Sequence, residues 1–577
     1  MSALVAIANA AIAVYTNTAE VRACMPIDDG FLVGTGGGLV WTDKAGAPKR
    51  VWTALDGLPA TRIDGITMVG TDVWVGTERG GNRVTIANDA LVLGLGVASM
   101  SVRDVVRFGN ETYVATDAGV QVEQHKGMRV PTQRPVAFKG GANKQARARV
   151  SSLAIADGAL WAGTAGGLYK LRGGTFELVT VETGANDITS LYGDGKTLWI
   201  ATTNGLYTRE GSTVRGYGGG DLRRVTMVDG AIVAAGFGGG FVTIDRGRLI
   251  DYKGAPKIPM AQALTERNGV ACAGGLDGFA IRASKTAPWT AVKSASSIPA
   301  NDVSALAADG DTLWVGTFDH GLARFAKGAW TTVTDKKLDH RINALLVEPR
   351  AGQSSRLWVA TATGISIVDG KNITELTKAD GLPARGALSL ALLRDGRVLA
   401  GTMHGAAIIG DNARPIALGL KQNLEVKNVW AVAEDSEGYL WLGATTGVYR
   451  GKPDDSAWTR YSVATKSLRD DWVMALVPNG DQMFVGTYKG GVTRMDITPT
   501  TVTAVQLGDG WINPGGLRVE GTTLYAATME GLRTSDLAAT TWATSETFTA
   551  RDTTATARVG ARLFIASRRG IVSPPRR

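Results

Sequence analysis

Hydrophobic positions along this chain come in short bursts with period-two alternation, separated by glycine-rich or acidic turns. No stretch keeps a helical period or a heptad, so the pattern predicts strands joined by tight turns and almost no helix. The region from Ile298 is typical. Asn301 to Ala308 reads as one strand, Thr312 to Thr317 as a second, Gly321 to Ala326 as a third and Ala329 to Thr334 as a fourth. Asp309–Asp311, Phe318–Gly321 and Lys327–Gly328 are the turns between them. Such a unit is an antiparallel four-stranded meander.

The second and third strands carry a phrase that returns fourteen times: apolar residues, a Gly or Ala, usually a Thr, then a Gly. It reads FLVGTGGGL from Phe31, LWAGTAGGL from Leu160, LWVGTFDHGL from Leu313 and LWLGATTGV from Leu440. The small residue marks the period, from Gly34 to Ala566, with a mean spacing of roughly 41 residues. Four strands at that period are the signature of a propeller blade. The expectation is an all-β chain of two tandem seven-bladed β-propellers, fourteen four-stranded blades in all. The last unit ends after its third strand, and a spare strand precedes the first unit. The simplest ring closure latches both rings. Strand 11–17 closes blade 7 and strand 288–294 closes blade 14, giving domains 1–286 and 287–577.

The repeat resembles the two-component regulator propeller repeat, through GLPATRI (Gly57–Ile63), IPANDV (Ile298–Val303), GLPARGA (Gly381–Ala387) and DSEGYLWLGATTGV (Asp435–Val448). The resemblance implies seven-bladed propellers, usually extracytoplasmic sensor regions of bacterial hybrid histidine kinases. Both rings together use the whole chain, leaving no kinase or other effector module, so a signal would pass through another polypeptide. No window of 18 apolar residues predicts a membrane span. The N-terminus lacks a basic region before its apolar stretch and reads as strand rather than signal peptide, which favours the cytoplasm. Cys24 and Cys272 fall in blades that ring closure makes neighbours, and read as buried thiols.

The net charge is +9. Lys139, Lys144, Arg147 and Arg149 cluster in the longest unit, Arg223 and Arg224 are adjacent, and the tail holds Arg568, Arg569, Arg576 and Arg577. No aromatics interleave with these charges, which argues against nucleic acid as a partner. There is no P-loop, zinc spacing or nucleophile elbow, and no cofactor is expected. Of the four histidines, His125 stands apart, while His320, His340 and His404 fall near one end of the second ring's strands with Asp319 and Asp339. A resemblance to virginiamycin B lyase, a propeller using a His and a metal, makes these three the best catalytic candidates. The S-x-D-x-G-x-T-W turns of xyloglucan-cleaving double propellers are absent.

In propellers, the loops entering the inner strand and the turns after the second strand share one face. The positions expected there are Asn301, His340, Arg385, Lys427 and Asp471, then Asn513 and Arg551, in the second ring. In the first ring they are Thr61, Arg103, Asn186 and Arg223. Phe318, Met403, Tyr488 and Met529 add large apolar tips to the second ring's turns, a mark of a partner surface. The resulting reading is a non-catalytic protein- or ligand-binding scaffold or sensor acting through a separate effector chain. The alternatives are a metal-dependent lyase or hydrolase using the second-ring histidines, and an extracytoplasmic carbohydrate sensor.

Overall fold

The computed structural model describes residues 13–87, 90–124, 132–140, 149–179, 187–238, 240–294, 296–418, 426–455, 457–538, 543–544 and 551–574. Strands dominate, and the only helical turns among the described residues are two three-residue 3-10 turns, Ala54–Asp56 and Lys378–Asp380. The strands form antiparallel meanders of four. Two meanders join into one eight-stranded sheet, because the edge strand Thr132–Lys139 pairs in parallel with Thr175–Val179. Phe138 stacks on Phe176 and against Tyr169 there, so two outer edges cover one another.

The chain groups into two compact units, residues 17–296 and residues 1–16 with 297–577. In the 17–296 unit, the first strand of each meander lies against that of the next. The sequence begins at Val21–Ile27 and ends at Ala261–Arg267, which returns to Val21–Ile27. The other unit repeats this from Val303–Asp309 to Thr553–Val559 and back. The apolar cores lie between the faces of successive sheets. Met25, Leu32, Trp41 and Trp52 of the first sheet meet Ile63, Ile66 and Val75 of the second, for example.

The repeated phrase has a physical explanation at each position. The Thr hydroxyl donates across the turn to the Gly carbonyl, at 2.7 Å in Thr35–Gly38, 2.8 Å in Thr77–Gly80 and 2.7 Å in Thr528–Gly531. That Gly takes a positive φ, +136° at Gly38 and +129° at Gly531, which disfavours side chains. The Gly or Ala before the Thr faces the next sheet. A Cβ on Gly163 would lie 2.5 Å from Ile188, and one on Gly76 would lie 2.2 Å from the Val102 carbonyl oxygen. The small residue is therefore where one sheet packs on the next.

The pairing of the terminal strands differs from the expected double latch. Thr290–Val292 pairs with Gly278–Arg282 of its own meander, Phe279 opposite Val292, so the seventh sheet keeps its own fourth strand. A local hairpin costs less loop entropy than a crossover. Ala13–Tyr15 instead supplies the strand missing at the C-terminus, with Ala13 opposite Ser573 and Tyr15 opposite Ile571. The spare and missing strands match each other, and the unit boundary falls at 296/297 rather than 286/287.

The 17–296 unit closes without a borrowed strand. Cys24, in its first sheet, and Cys272, in its seventh, form a disulfide buried among Val21, Phe31, Val33, Phe279 and Ile281. These residues are bonded rather than free thiols, which the sequence alone left as the simpler expectation. A Cβ on Gly274 would lie 2.2 Å from Val21 Cγ1 at the same junction.

Candidate functional site

Each first strand of the 17–296 unit carries a β-bulge after its first paired residue, as between Val21 and Ala23 or Val102 and Asp104. The skipped residues are Arg22, Asp64, Arg103, Ser151, Thr189, Arg223 and Gln262. All seven line one central cavity of about 310 Å³. A bulge re-aims a side chain, and here it turns one residue per sheet inward. Where that residue is small and polar it ties neighbouring sheets together. Ser151 donates to the Ile188 carbonyl, Thr189 to the Leu222 carbonyl at 2.5 Å, and Gln262 to the Val21 carbonyl at 3.2 Å, across the closing junction. The other unit does the same with Asn343 to Ala387 (2.7 Å), Asn513 to Thr553 (2.6 Å) and Thr554 to Val303 (2.7 Å).

The first cavity also receives Arg149, Asp187 and Arg224, giving five arginines against two aspartates. Asp64 is engaged by Arg22 Nε at 3.1 Å, Arg62 Nε at 3.0 Å and Ser101 Oγ at 3.1 Å. Burial pushes its carboxyl up, but the Arg62 hydrogen bond and the charges of Arg22, Arg62 and Arg103 hold it below the ordinary carboxylate range. Arg103 is pushed down by burial, partly restored by Asp64, and lowered further by Arg149, Arg22 and Arg62. Its Nε is buried without a hydrogen-bond partner, as is that of Arg223. The matching cavity of the other unit, about 210 Å³, is lined by Ser304, Leu306, Asn343, Leu345, Leu388 and Trp430, and by no charged side chain.

The turns after the second strands share the end of the sheets where the first strands begin. The turn backbone N–H donates to the residue before the first strand: Glu78 to Arg62, Phe318 to Asp302, Met403 to Gly386, Tyr488 to Trp472 and Met529 to Trp511. In the unit containing 297–577, this turn position holds Phe318, Met403, Tyr488 and Met529, beside Ala362 and Arg568; Phe318 is 52% exposed and Met403 47%. The corresponding residues of the other unit include Gly36, Glu78, Asp117 and Thr203, with Phe237 and Leu276 as apolar exceptions. Trp472 and Trp511 flank Tyr488, with ring centroids 4.7 and 4.9 Å away. Both indoles are more than a third exposed, at 38% and 37%. Lys489 Nζ lies 5.8 Å from the Trp511 ring.

The expected rim residues sort unevenly. His340, Arg385 and Lys427 are exposed, Asn301, Asp471 and Thr61 are half-buried, and Arg551 is exposed. Asn513 is buried in the hydrogen bond described above. Arg103 and Arg223 sit not on the rim but at bulges of the central cavity. Asn186 and His125 lie outside the described residues, as do Lys144, Arg147, Arg576 and Arg577 of the basic clusters. Trp472 and Trp511 were not expected. A Trp directly before a first strand, outside the L-W-x-G phrase, was the signal for them.

The histidine constellation does not assemble into a metal centre. His320 Nδ1 pairs with Asp319 of its own turn at 2.6 Å, Asp339 is engaged by Arg341 at 3.1 Å, and the His404 backbone bridges to Lys427. His340 lies beside Gly321, whose N–H donates to its carbonyl at 2.8 Å. Among the described residues, no three His, Cys, Asp or Glu side chains are grouped to hold a metal ion. No helix among them is long and apolar enough to cross a membrane.

The two component regulator propeller family matches residues 423–446, which include the D-S-E-G turn. There the Asp435 carboxylate, fully buried, accepts from Trp441 Nε1 at 2.8 Å and Arg450 Nε at 2.7 Å. No curated protein sequence is significantly similar to the chain. Solved structures that share its fold include two that align over nearly its full length. One is PorZ, a bacterial surface component of the type-IX secretion system of Porphyromonas gingivalis, with a TM-score of 0.69 at 12% identity over 97% of this chain and 86% of that one. The other is an ancestral GH74 enzyme, with a TM-score of 0.69 at 13% identity over 98% and 99%. The extracellular domain of a putative hybrid two component system from B. thetaiotaomicron aligns with a TM-score of 0.40 at 15% identity, over 97% and 82%.

Proposed function

We propose that this chain, a carrier of the two-component regulator propeller repeat, is a non-catalytic binding scaffold of two seven-bladed propellers. In this reading it docks a protein partner through the second propeller's turn face, and the partner carries the output. The closed order of first strands in each unit supports the two rings. The observation that carries the function is the exposed Trp472–Tyr488–Trp511 cluster, with Phe318, Met403 and Met529 on the same kind of turn. Aromatic and Met side chains are enriched at the cores of protein interfaces, and Trp and Tyr dominate their energetics. The fold does not require an apolar residue at the turn position, since the other unit has Glu78, Asp117 and Thr203 there.

The working compartment in this reading lies outside the cytoplasm. A buried disulfide closing the first unit fits an oxidising environment, which displaces the cytoplasmic location expected from the N-terminus.

Replacing Trp472 and Trp511 together by Ala is expected to weaken partner binding by at least tenfold, at about 2 kcal/mol or more per hot-spot aromatic. Both side chains are over a third exposed, so the melting transitions should stay within about 1 °C of wild type. Quantitative co-purification from the native host, wild type against the double variant, reads this directly. A partner recovered equally with both proteins contradicts the docking face.

A further inference from the structure

We propose that the central cavity of the 17–296 unit binds a small polyanion, a ligand carrying two or more phosphate, sulfate or carboxylate groups. The site lies in a different unit from the aromatic turn face and does not depend on it.

The chain contains its own control. Both units have a cavity ringed by first-strand residues, with the bulge residues Ser304, Asn343 and Leu388 among them in the second, and that second cavity is lined without any charge. The fold therefore does not need arginine there. Its ordinary device at this position is a short polar side chain that donates to the neighbouring sheet, as in Thr189, Gln262, Asn343 and Thr554. Arg22, Arg103 and Arg223 depart from that device within one unit, and Arg149 and Arg224 add to them.

Part of this charge is not neutralised locally. Arg22 pairs with Glu20 and shares Asp64 with Arg62. Arg223 reaches Asp221. Arg103 has no carboxylate within hydrogen-bond distance among the described residues. The Asp104 carboxylate next to it is taken by Thr67, Ser152 and the Leu153 N–H. The buried Nε atoms of Arg103 and Arg223 lack acceptors, and a buried donor without a partner is costly. An oxyanion supplies acceptors and relieves the mutual repulsion of the guanidinium groups, whose planar forks suit phosphate and carboxylate. A cavity of about 310 Å³ is at the lower end of small-ligand sites. Several converging cations select a multiply charged ligand over a single anion.

Isothermal titration calorimetry of the full chain with pyrophosphate, citrate, inorganic phosphate and glucose, in low salt and at 200 mM NaCl, tests the site. One pyrophosphate or citrate per chain is expected, bound at least tenfold more tightly than phosphate and weakened by salt, with no glucose binding. The ratio between pyrophosphate and citrate tells a phosphate ligand from a carboxylate one. Arg103→Gln should lower affinity at least tenfold and Arg103→Lys should restore part of it, while Arg172→Gln, at a surface pair, should change nothing. If Arg103→Gln loses its melting transition, Arg149→Gln is read in its place. Failure of both polyanions to bind the wild type in low salt overturns the proposal. So does affinity undiminished in a folded Arg103→Gln or Arg149→Gln chain.

Discussion

Replacing Cys24 and Cys272 by Ala is expected to destabilise the 17–296 unit by roughly 5 kcal/mol and leave the other unit unchanged. The bond closes a loop with a sequence separation of 248. The chain-entropy cost it removes from the unfolded state grows with the logarithm of that length, reaching roughly 5 kcal/mol. The location adds to the effect. The bond joins the first sheet to the seventh, at the one junction of this unit that is not between sequence neighbours. Calorimetry should resolve two transitions, and a reductant or the double substitution should lower only one of them. A single transition, or one indifferent to reductant, contradicts this reading of closure.

The other unit should be similarly sensitive to its N-terminal strand. Deleting residues 1–16 removes the strand Ala13–Tyr15 and leaves Gly570–Ser573 as an unpaired edge. Tyr15 also packs on Trp330, Phe325 and Phe564, with ring centroids 5.2, 5.6 and 6.3 Å away, and its hydroxyl accepts from Arg562 at 2.6 Å. Loss of that ring alone, in Tyr15→Ala, is expected to cost about 3 kcal/mol. The deletion should do more, lowering the transition of the 297–577 part and promoting self-association through the open edge. A peptide spanning residues 11–18, added in trans, should restore part of the stability. A deleted chain that melts and sediments like the wild type would show that the strand does not stabilise this unit. The two units thus reach closure by different means, one covalent and one by a strand carried across the chain.

Much of the fold was legible because the repeat is local. Gly76, Thr77 and Gly80 each do their work within one turn or against the next sheet, so a phrase in the sequence reports them. Closure was not legible in the same way. Among the described residues the strands group in fours as expected, yet Ala13–Tyr15 and Thr290–Val292 were assigned to each other's sheets, because pairing between distant segments leaves no periodic mark. The disulfide is equally non-local, and two lone cysteines give no spacing to read.

The sites were partly legible for a related reason. Phe318, Met403 and Tyr488 stand where the phrase places a turn residue; Phe318 and Met403 are exposed there and Tyr488 is half-buried between two indoles. Arg103 and Arg223 were assigned to the rim, but they occupy the bulge one residue inside each first strand. Aligning the seven first strands on their leading apolar residue would have exposed the column Arg22, Asp64, Arg103 and Arg223. Trp472 and Trp511 were hidden by the habit of reading Trp in this repeat as core, as Trp74 and Trp441 are.

The docking claim is tested most directly by site-specific photo-crosslinking in the native host. Tyr488 is replaced by p-benzoylphenylalanine in one chain and Glu78, its counterpart in the other unit, in a second. The account predicts a discrete covalent adduct with one partner from position 488 and none from position 78. An adduct from position 78 alone, equal adducts from both, or none from position 488 would contradict it.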